Sequence, residues 1–271
     1  MSNLTPGTFD LRIKHAHSIS KRLTNVPLRV GENTIPFGYL REGDVQPNNQ
    51  IVIADFGPLS GAFNSCRNQA GFVANADLNE DGCILIDDVG LFSGNFNRQG
   101  DELACWGCPN PTPFYPATAL LSFSQPETTT VAGRLTALPI YIDPVATAVN
   151  GATVHLAFDP AVVEVVRVEI SEKLSLHLGE PTIDNQAGRV RFSAATGLGA
   201  SENERFVAAV LHVRLRTLTS GTSISPVSNE TPFTAISSPG GNVLDQASGI
   251  TLRATEIESP ASAIFLPLVA R

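Results

Sequence analysis

The chain has 271 residues, 42% hydrophobic and 16% charged, with a net charge of −8. That composition supports sizeable folded cores and argues against a disordered chain. It offers no basic stripe for nucleic acid and no apolar run of membrane-spanning length.

The acidity is uneven. Residues 1–41 carry six basic and two acidic side chains (+4), residues 42–110 two and ten (−8), and residues 111–271 ten and fourteen (−4). The 41 glycines and prolines (22 and 19) suit turn-rich β structure. Within an N-terminal segment at 1–41, residues 8–41 alternate in strand fashion. In T-F-D-L-R-I-K-H, Phe9, Leu11 and Ile13 share one face, and N-V-P-L-R-V and T-I-P-F-G-Y-L follow. Three such strands bury too little to stand alone, so the segment is either the end of a β module or a hairpin leaning on its neighbours. His15 and His17 share a strand face that could suit a metal, but no third ligand is apparent nearby, so they are expected to be solvated strand histidines.

Residues 77–88 read D-L-N-E-D-G-C-I-L-I-D-D. Oxygen donors at loop positions one, three, five and twelve, with glycine at six, suit a Ca²⁺ ion that takes six to eight oxygens. Asp77, Asn79, Asp81 and Asp88 would supply side-chain oxygens and Cys83 its carbonyl, while Gly82 turns the chain. An earlier copy lies 33 positions upstream: D-F-G-P-L-S-G-A-F-N at 55–64 matches D-V-G-L-F-S-G-N-F-N at 88–97. Its loop offers Asp44, Gln46, Asn48, the Gln50 carbonyl and Asp55, with Asn49 where glycine stood. Two carboxylates against three predict weaker binding, so two Ca²⁺ sites are expected, the second stronger. After each loop, Phe56, Leu59 and Phe63, then Val89, Phe92 and Phe96, recur at helical spacing.

This tandem loop–helix pattern, with Asp at position twelve, resembles a type I-like dockerin over about residues 42–100, within a domain expected at 42–106. The resemblance implies a paired EF-hand-like (F-hand) calcium module that binds a cohesin. Loop positions ten and eleven, here Ile53 and Ala54 and then Ile86 and Asp87, would carry recognition.

Four cysteines, Cys66, Cys83, Cys105 and Cys108, suit structural disulfides in an exported protein, with Cys66–Cys83 and Cys105–Cys108 as the first choice of pairing. The first thirty residues hold no signal-peptide apolar core, so export calls for a segment upstream. Four prolines within residues 107–116 mark a semi-rigid linker, across which docking of the two halves on each other looks sterically difficult.

Residues 117–256 predict an antiparallel β-sandwich, with strands at 119–123, 135–142, 152–158, 162–170, 189–194, 206–217, 222–227 and 250–254. The run L-P-I-Y-I-D, then A-T-V-H-L-A-F-D-P-A-V-V at 152–163, G-R-V-R-F-S-A-A-T and A-A-V-L-H-V-R-L-R resembles a cohesin. That implies a nine-stranded jelly-roll sandwich whose flat face receives a dockerin. The fold class expected is therefore mainly β with a small α part. His155, His177 and His212 stand near no nucleophile motif, and no carboxylate pair marks a glycosidase, so the chain reads as no enzyme. Residues 257–271 form a tail whose I-F-L-P-L-V resembles those of exported proteins.

Together these readings imply a non-catalytic, calcium-dependent cohesin–dockerin adaptor of an extracellular polysaccharide-degrading or cell-surface complex, with cohesin-bearing and dockerin-bearing partners. Carbohydrate binding by the sandwich stays open as a further role, with few aromatics there to stack on sugars. The alternative is a structural or adhesive surface protein in which calcium only stiffens the hinge between β modules and the two halves pack against each other.

Overall fold

The computed structural model describes residues 5–104, 116–239 and 241–257. Cys105, Cys108, nearly all of the proline-rich linker and the tail from 258 lie outside the described residues. Among the described residues no helix is long and apolar enough to cross a membrane.

The alternation near the N-terminus forms an antiparallel hairpin of Gly7–Ile13 and Lys21–Leu28. The third expected strand, within 34–40, is not one. Pro36 lacks a ladder donor and Gly38 sits at φ 70°, so this stretch runs as irregular chain. The hairpin leans on its neighbours. Lys21–Leu28 pairs in parallel with Glu102–Leu103, and Ile19 is buried in the core of the loop–helix repeats.

Each repeat builds one short helix, α1 (Ile53–Gly61) and α2 (Ile86–Gly94). The twelfth loop residue sits in the first turn of each. Asp55 accepts from the Val52 N–H at 2.9 Å and Asp88 from the Leu85 N–H at 2.8 Å, satisfying an otherwise orphaned donor. The 33-residue offset appears as a pseudo-twofold exchange. Gln50–Ile51 pairs with Arg98–Gln99, and Cys83–Ile84 pairs with Ser65–Cys66, so each loop is clasped by the chain leaving the other helix. Asn64 and Asn97 occupy matching left-handed turns at φ 64° and 63°, and donate to the Ile84 and Ile51 carbonyls. Phe56 stacks on Phe92 across the exchange, with ring centroids 5.8 Å apart.

Residues 117–257 fold as two packed sheets. The first runs in the order Val163–Ile170, Phe206–Leu215, Leu135–Asp143, Ala119–Phe123, Leu244–Ala247. The path of the second is Leu176–His177, Arg189–Ala195, Gly151–Phe158, Thr219–Pro226, Ile250–Ile257, Glu127–Ala132. Ala235–Ser238 also pairs with Gly151–Phe158, along Gly151–Thr153, and shares that edge with Thr219–Pro226. The alternation read in the sequence is real: Leu211, Val213 and Leu215 are fully buried, opposite Val154 and Leu156 in one core. In place of nine strands, the described residues hold fourteen pieces, five in one sheet and nine in the other. The extra pieces are short, such as Thr182–Asp184 and Gly241–Asn242, and carry too little apolar alternation to be read.

A second hydrophobic cluster crosses between the halves. It holds Leu59, Ile84, Ile86, Val89 and Phe92 of the repeats together with Ala195 and Ala235 of the sandwich. The two halves are therefore packed on each other, contrary to the steric expectation from the linker.

Candidate functional site: a calcium-type loop and a helix docked on the sandwich

In the second loop the side-chain oxygens accept hydrogen bonds from the loop's own backbone. Asp77 Oδ2 accepts from Gly82 N–H at 3.1 Å, Asn79 Oδ1 from Asp81 N–H at 3.0 Å, and Asp81 Oδ1 from Cys83 N–H at 2.9 Å. Asp88 reaches back across the loop and accepts from Leu78 and Asn79, at 2.7 and 3.2 Å. Glu80 and Gly82 both take left-handed backbone, at φ 60° and 96°, which coils the loop tightly.

Burial pushes the Asp88 carboxyl up to about 8, helped by the Asp87 charge, although three backbone N–H groups pull it down. Burial and the Asp81 charge push Asp87 up to about 6 and raise Asp77 as well. Asp77 Oδ1 is buried without a hydrogen-bond partner. Crowded carboxylates with an orphaned buried oxygen are what a hard divalent cation relieves, so the residues present fit Ca²⁺. Asp77, Asn79, Asp81, Asp88 and the Cys83 carbonyl would hold it. Calcium would supply no chemistry beyond fixing the loop and the start of α2.

The first loop is built differently. Asp44 and Asp55 are fully buried, and Asp44 accepts from the N–H groups of Asn48 and Asn49 at 3.0 and 2.8 Å. Asp55 accepts from Gln46 N–H at 2.8 Å. The Lys14 ammonium pairs with Asp44 Oδ2 and also donates to the Ser18 carbonyl. A cationic side chain thus stands in direct contact with the carboxylate that opens the loop, whereas in the second loop the exposed Arg67 guanidinium stays 3.7 Å from Asp77 Oδ2. Pro47 occupies the position matching Glu80 and cannot adopt its positive φ. Gln46, Asn48 and Gln50 are exposed.

Cys66 and Cys83 form a disulfide that ties the chain after α1 to the second loop. Cys83 thus combines a backbone carbonyl at loop position seven with a sulfur crosslink.

The four recognition positions separate. Ile53 is 64% exposed and Ala54 is also on the surface, whereas Ile86 is 1% exposed and Asp87 half-buried. The difference comes from α2, which lies on the second sheet of the sandwich, against Gly151–Phe158, Arg189–Ala195 and Ala235–Ser238. Asn150 Nδ2 donates to the Gly90 carbonyl at 2.9 Å, and Gly199 N–H donates to Ser93 Oγ at 3.2 Å. Glycine is required at this contact. A Cβ on Gly90 would stand 2.8 Å from the Ser238 carbonyl oxygen, one on Gly94 2.3 Å from Pro239 Cβ, and one on Gly151 3.0 Å from Ile86 Cδ1. The matching glycines of α1, Gly57 and Gly61, have nothing within 4 Å of such a Cβ. The same small-residue face is therefore buried on α2 and open on α1.

Sequence reasoning missed Lys14, Gly90, Ser93, Gly94 and Asn150. The G-x-x-S-G run repeated at 57–61 and 90–94 was the available signal, but small residues lack the apolar periodicity that marks an interface.

No protein-family model matches the sequence, and no curated protein matches it. Among solved structures, the chain is similar to cohesin modules. A cohesin of Clostridium acetobutylicum shares 13% identity, covering 52% of this chain and 92% of its own, with a TM-score of 0.44. A type I cohesin–dockerin complex of Clostridium thermocellum gives 13% identity, 55% and 100% coverage, and a TM-score of 0.44. A type II cohesin domain of Acetivibrio cellulolyticus gives 16%, 53% and 98%, and 0.41.

Proposed function

We propose that the chain is a non-catalytic, calcium-dependent protein–protein assembly module, extracellular or on the cell surface, whose loop–helix repeats are docked on their own sandwich. The observation that carries this reading is the burial of α2 on the sheet through Ile86, Gly90, Ser93 and Gly94, while the matching face of α1 stays open. Calcium in the second loop fixes the start of α2, and so fixes the docked face. Lys14 provides the positive charge in the first loop, so the proposal is one strong calcium site per chain. The Cys66–Cys83 disulfide supports an oxidising compartment.

In this reading the free face of α1, with Ile53, Ala54, Gly57 and Ser60, receives a cohesin-bearing partner. A dockerin-bearing partner must displace α2 to reach the sandwich. The test is a pull-down of immobilised full-length chain with cohesin modules from the same organism, in calcium and in chelator. Calcium-dependent retention that is lost in Gly57→Leu supports the assembly role, and no retention under any condition rejects it.

The same intramolecular contact favours one second reading, a structural or adhesive surface protein in which calcium only stiffens the joint between β modules. A joint that calcium rigidifies, with no cohesin or dockerin retained, would select it. Binding of plant polysaccharide by the sandwich is a separate proposal, checked by retention on insoluble polysaccharide.

A further inference from the structure

His15 and His17 lack a third ligand in sequence, but the fold supplies carboxylates from two distant segments. The rings meet edge to face with centroids 4.5 Å apart. Glu80 Oε1 lies 3.4 Å from His15 Nε2 and 3.6 Å from His17 Nε2, so one carboxylate oxygen addresses both imidazoles. The other nitrogen of His17 is already engaged, its Nδ1 standing 2.8 Å from Glu42 Oε2. These groups border an open cavity of about 420 Å³ that is also lined by Arg67, Phe72, Asn75 and Asp77. Arg67 is directed to Asp77 Oδ2, at 3.7 Å.

We propose that His15 Nε2, His17 Nε2 and Glu80 form a site for a divalent transition-metal ion, Zn²⁺ by the match of ligand type, with the cavity side open to a water ligand. Three features carry it. First, a tetrahedral zinc ion with ligands at about 2.0–2.1 Å sets neighbouring ligand atoms roughly 3.3–3.4 Å apart, close to the two histidine–Glu80 separations, and a ring nitrogen of each histidine lies within 4.8 Å of the other and of a Glu42 carboxylate oxygen. Second, a metal-binding histidine nearly always gives its remaining N–H to a carboxylate or carbonyl, which fixes its tautomer. Glu42 stands where it would do this for His17, leaving the Nε2 lone pair toward Glu80. Third, two imidazoles with one carboxylate form a nitrogen-rich set that suits zinc and is poor for calcium, so the site is chemically distinct from the neighbouring loop. Glu80 is position four of that loop, held there at φ 60°. A zinc ion would therefore tie the segment after the first hairpin strand to the second calcium loop.

The rival occupant is a proton. Protonated imidazoles paired with Glu42 and Glu80 would produce similar contacts without a metal. Calorimetric titration of the full chain with zinc chloride at neutral pH, in saturating calcium, separates the two. The expected result is one zinc per chain, with affinity weakened by at least ~10-fold in His15→Ala and in Glu80→Gln. Both positions are exposed, and both variants should keep calcium binding and an unchanged circular dichroism spectrum. Cobalt should show the visible absorption of a tetrahedral site in the native chain only. Absence of zinc binding overturns the proposal. So does undiminished binding in the double variant His15→Ala/Glu80→Gln, which would move the metal elsewhere, for example to the C-x-x-C pair at 105–108.

Discussion

Asn150 Nδ2 donates to the Gly90 carbonyl across 2.9 Å, a buried link between the sandwich and the middle of α2. Gly90 provides the clearance for this approach, since a Cβ there would stand 3.1 Å from Asn150 Oδ1. The residue that lets the helix approach is also the one whose backbone is bound.

Changing Gly90 to Leu should undock α2. The new side chain meets a backbone oxygen and Ser237 Cβ, neither the far end of a flexible chain. Overpacking of this kind costs about 1–3 kcal/mol. Gly57→Leu, the matching change on α1, should leave stability within about 0.5 kcal/mol, as surface substitutions usually do. Denaturant melts of the two variants compare these costs directly. Equal losses would show that the two helices are not differently placed.

Calcium titration should find one strong site. Asp81→Ala removes a charged ligand from an exposed loop position and should weaken that site by about 10-fold or more. Asn48→Ala, at the matching position of the first loop, should leave calcium binding unchanged. Calorimetry reads both.

Lys14→Gln should destabilise the chain by about 1–2 kcal/mol. This is less than the roughly 3–5 kcal/mol of breaking a fully buried pair, because the ammonium is partly exposed. With Asp44 freed, the variant should take up a second calcium at millimolar concentration. A stoichiometry that stays at one would show that Pro47 and the exposed amides, and not the ammonium, exclude the ion.

Removing the disulfide with Cys66→Ser/Cys83→Ser releases a closed loop with a sequence separation of 17. The loss expected is about 3 kcal/mol, measured in denaturant against the native chain.

On the sandwich, the hydrogen bond from His212 and then the charge of Arg167 hold Glu169 below its ordinary pKa. The sign follows from that direction. The contribution is present above the usual glutamate range and is lost as pH falls through the lowered folded value. An NMR titration should place the Glu169 midpoint below that of an ordinary glutamate, and His212→Gln should raise it.

What the sequence made legible followed periodicity and repetition. The strand Phe206–Leu215 was readable because Leu211, Val213 and Leu215 alternate against polar neighbours, and α1 and α2 because Asp55 and Asp88 recur 33 residues apart before helical spacing. Lys14 and Asp44 were not readable as a pair, since 30 residues and an irregular turn separate them. The docking of α2 was hidden for a different reason. Gly90 and Gly94 act by what they lack, and composition alone reads them as weak helix formers. Residues 34–40 misled by alternating without the donors and backbone geometry a ladder needs.

The most direct test of the account is hydrogen–deuterium exchange of the full chain in calcium and in chelator, following α2 and Ala235–Ser238 together. Calcium-coupled docking predicts that both segments are protected in calcium and that chelation raises their exchange in parallel, while the buried strand Phe206–Leu215 stays protected. Exchange at Ala235–Ser238 that ignores chelation while α2 opens would contradict it, because the sheet face would then not depend on the helix that covers it.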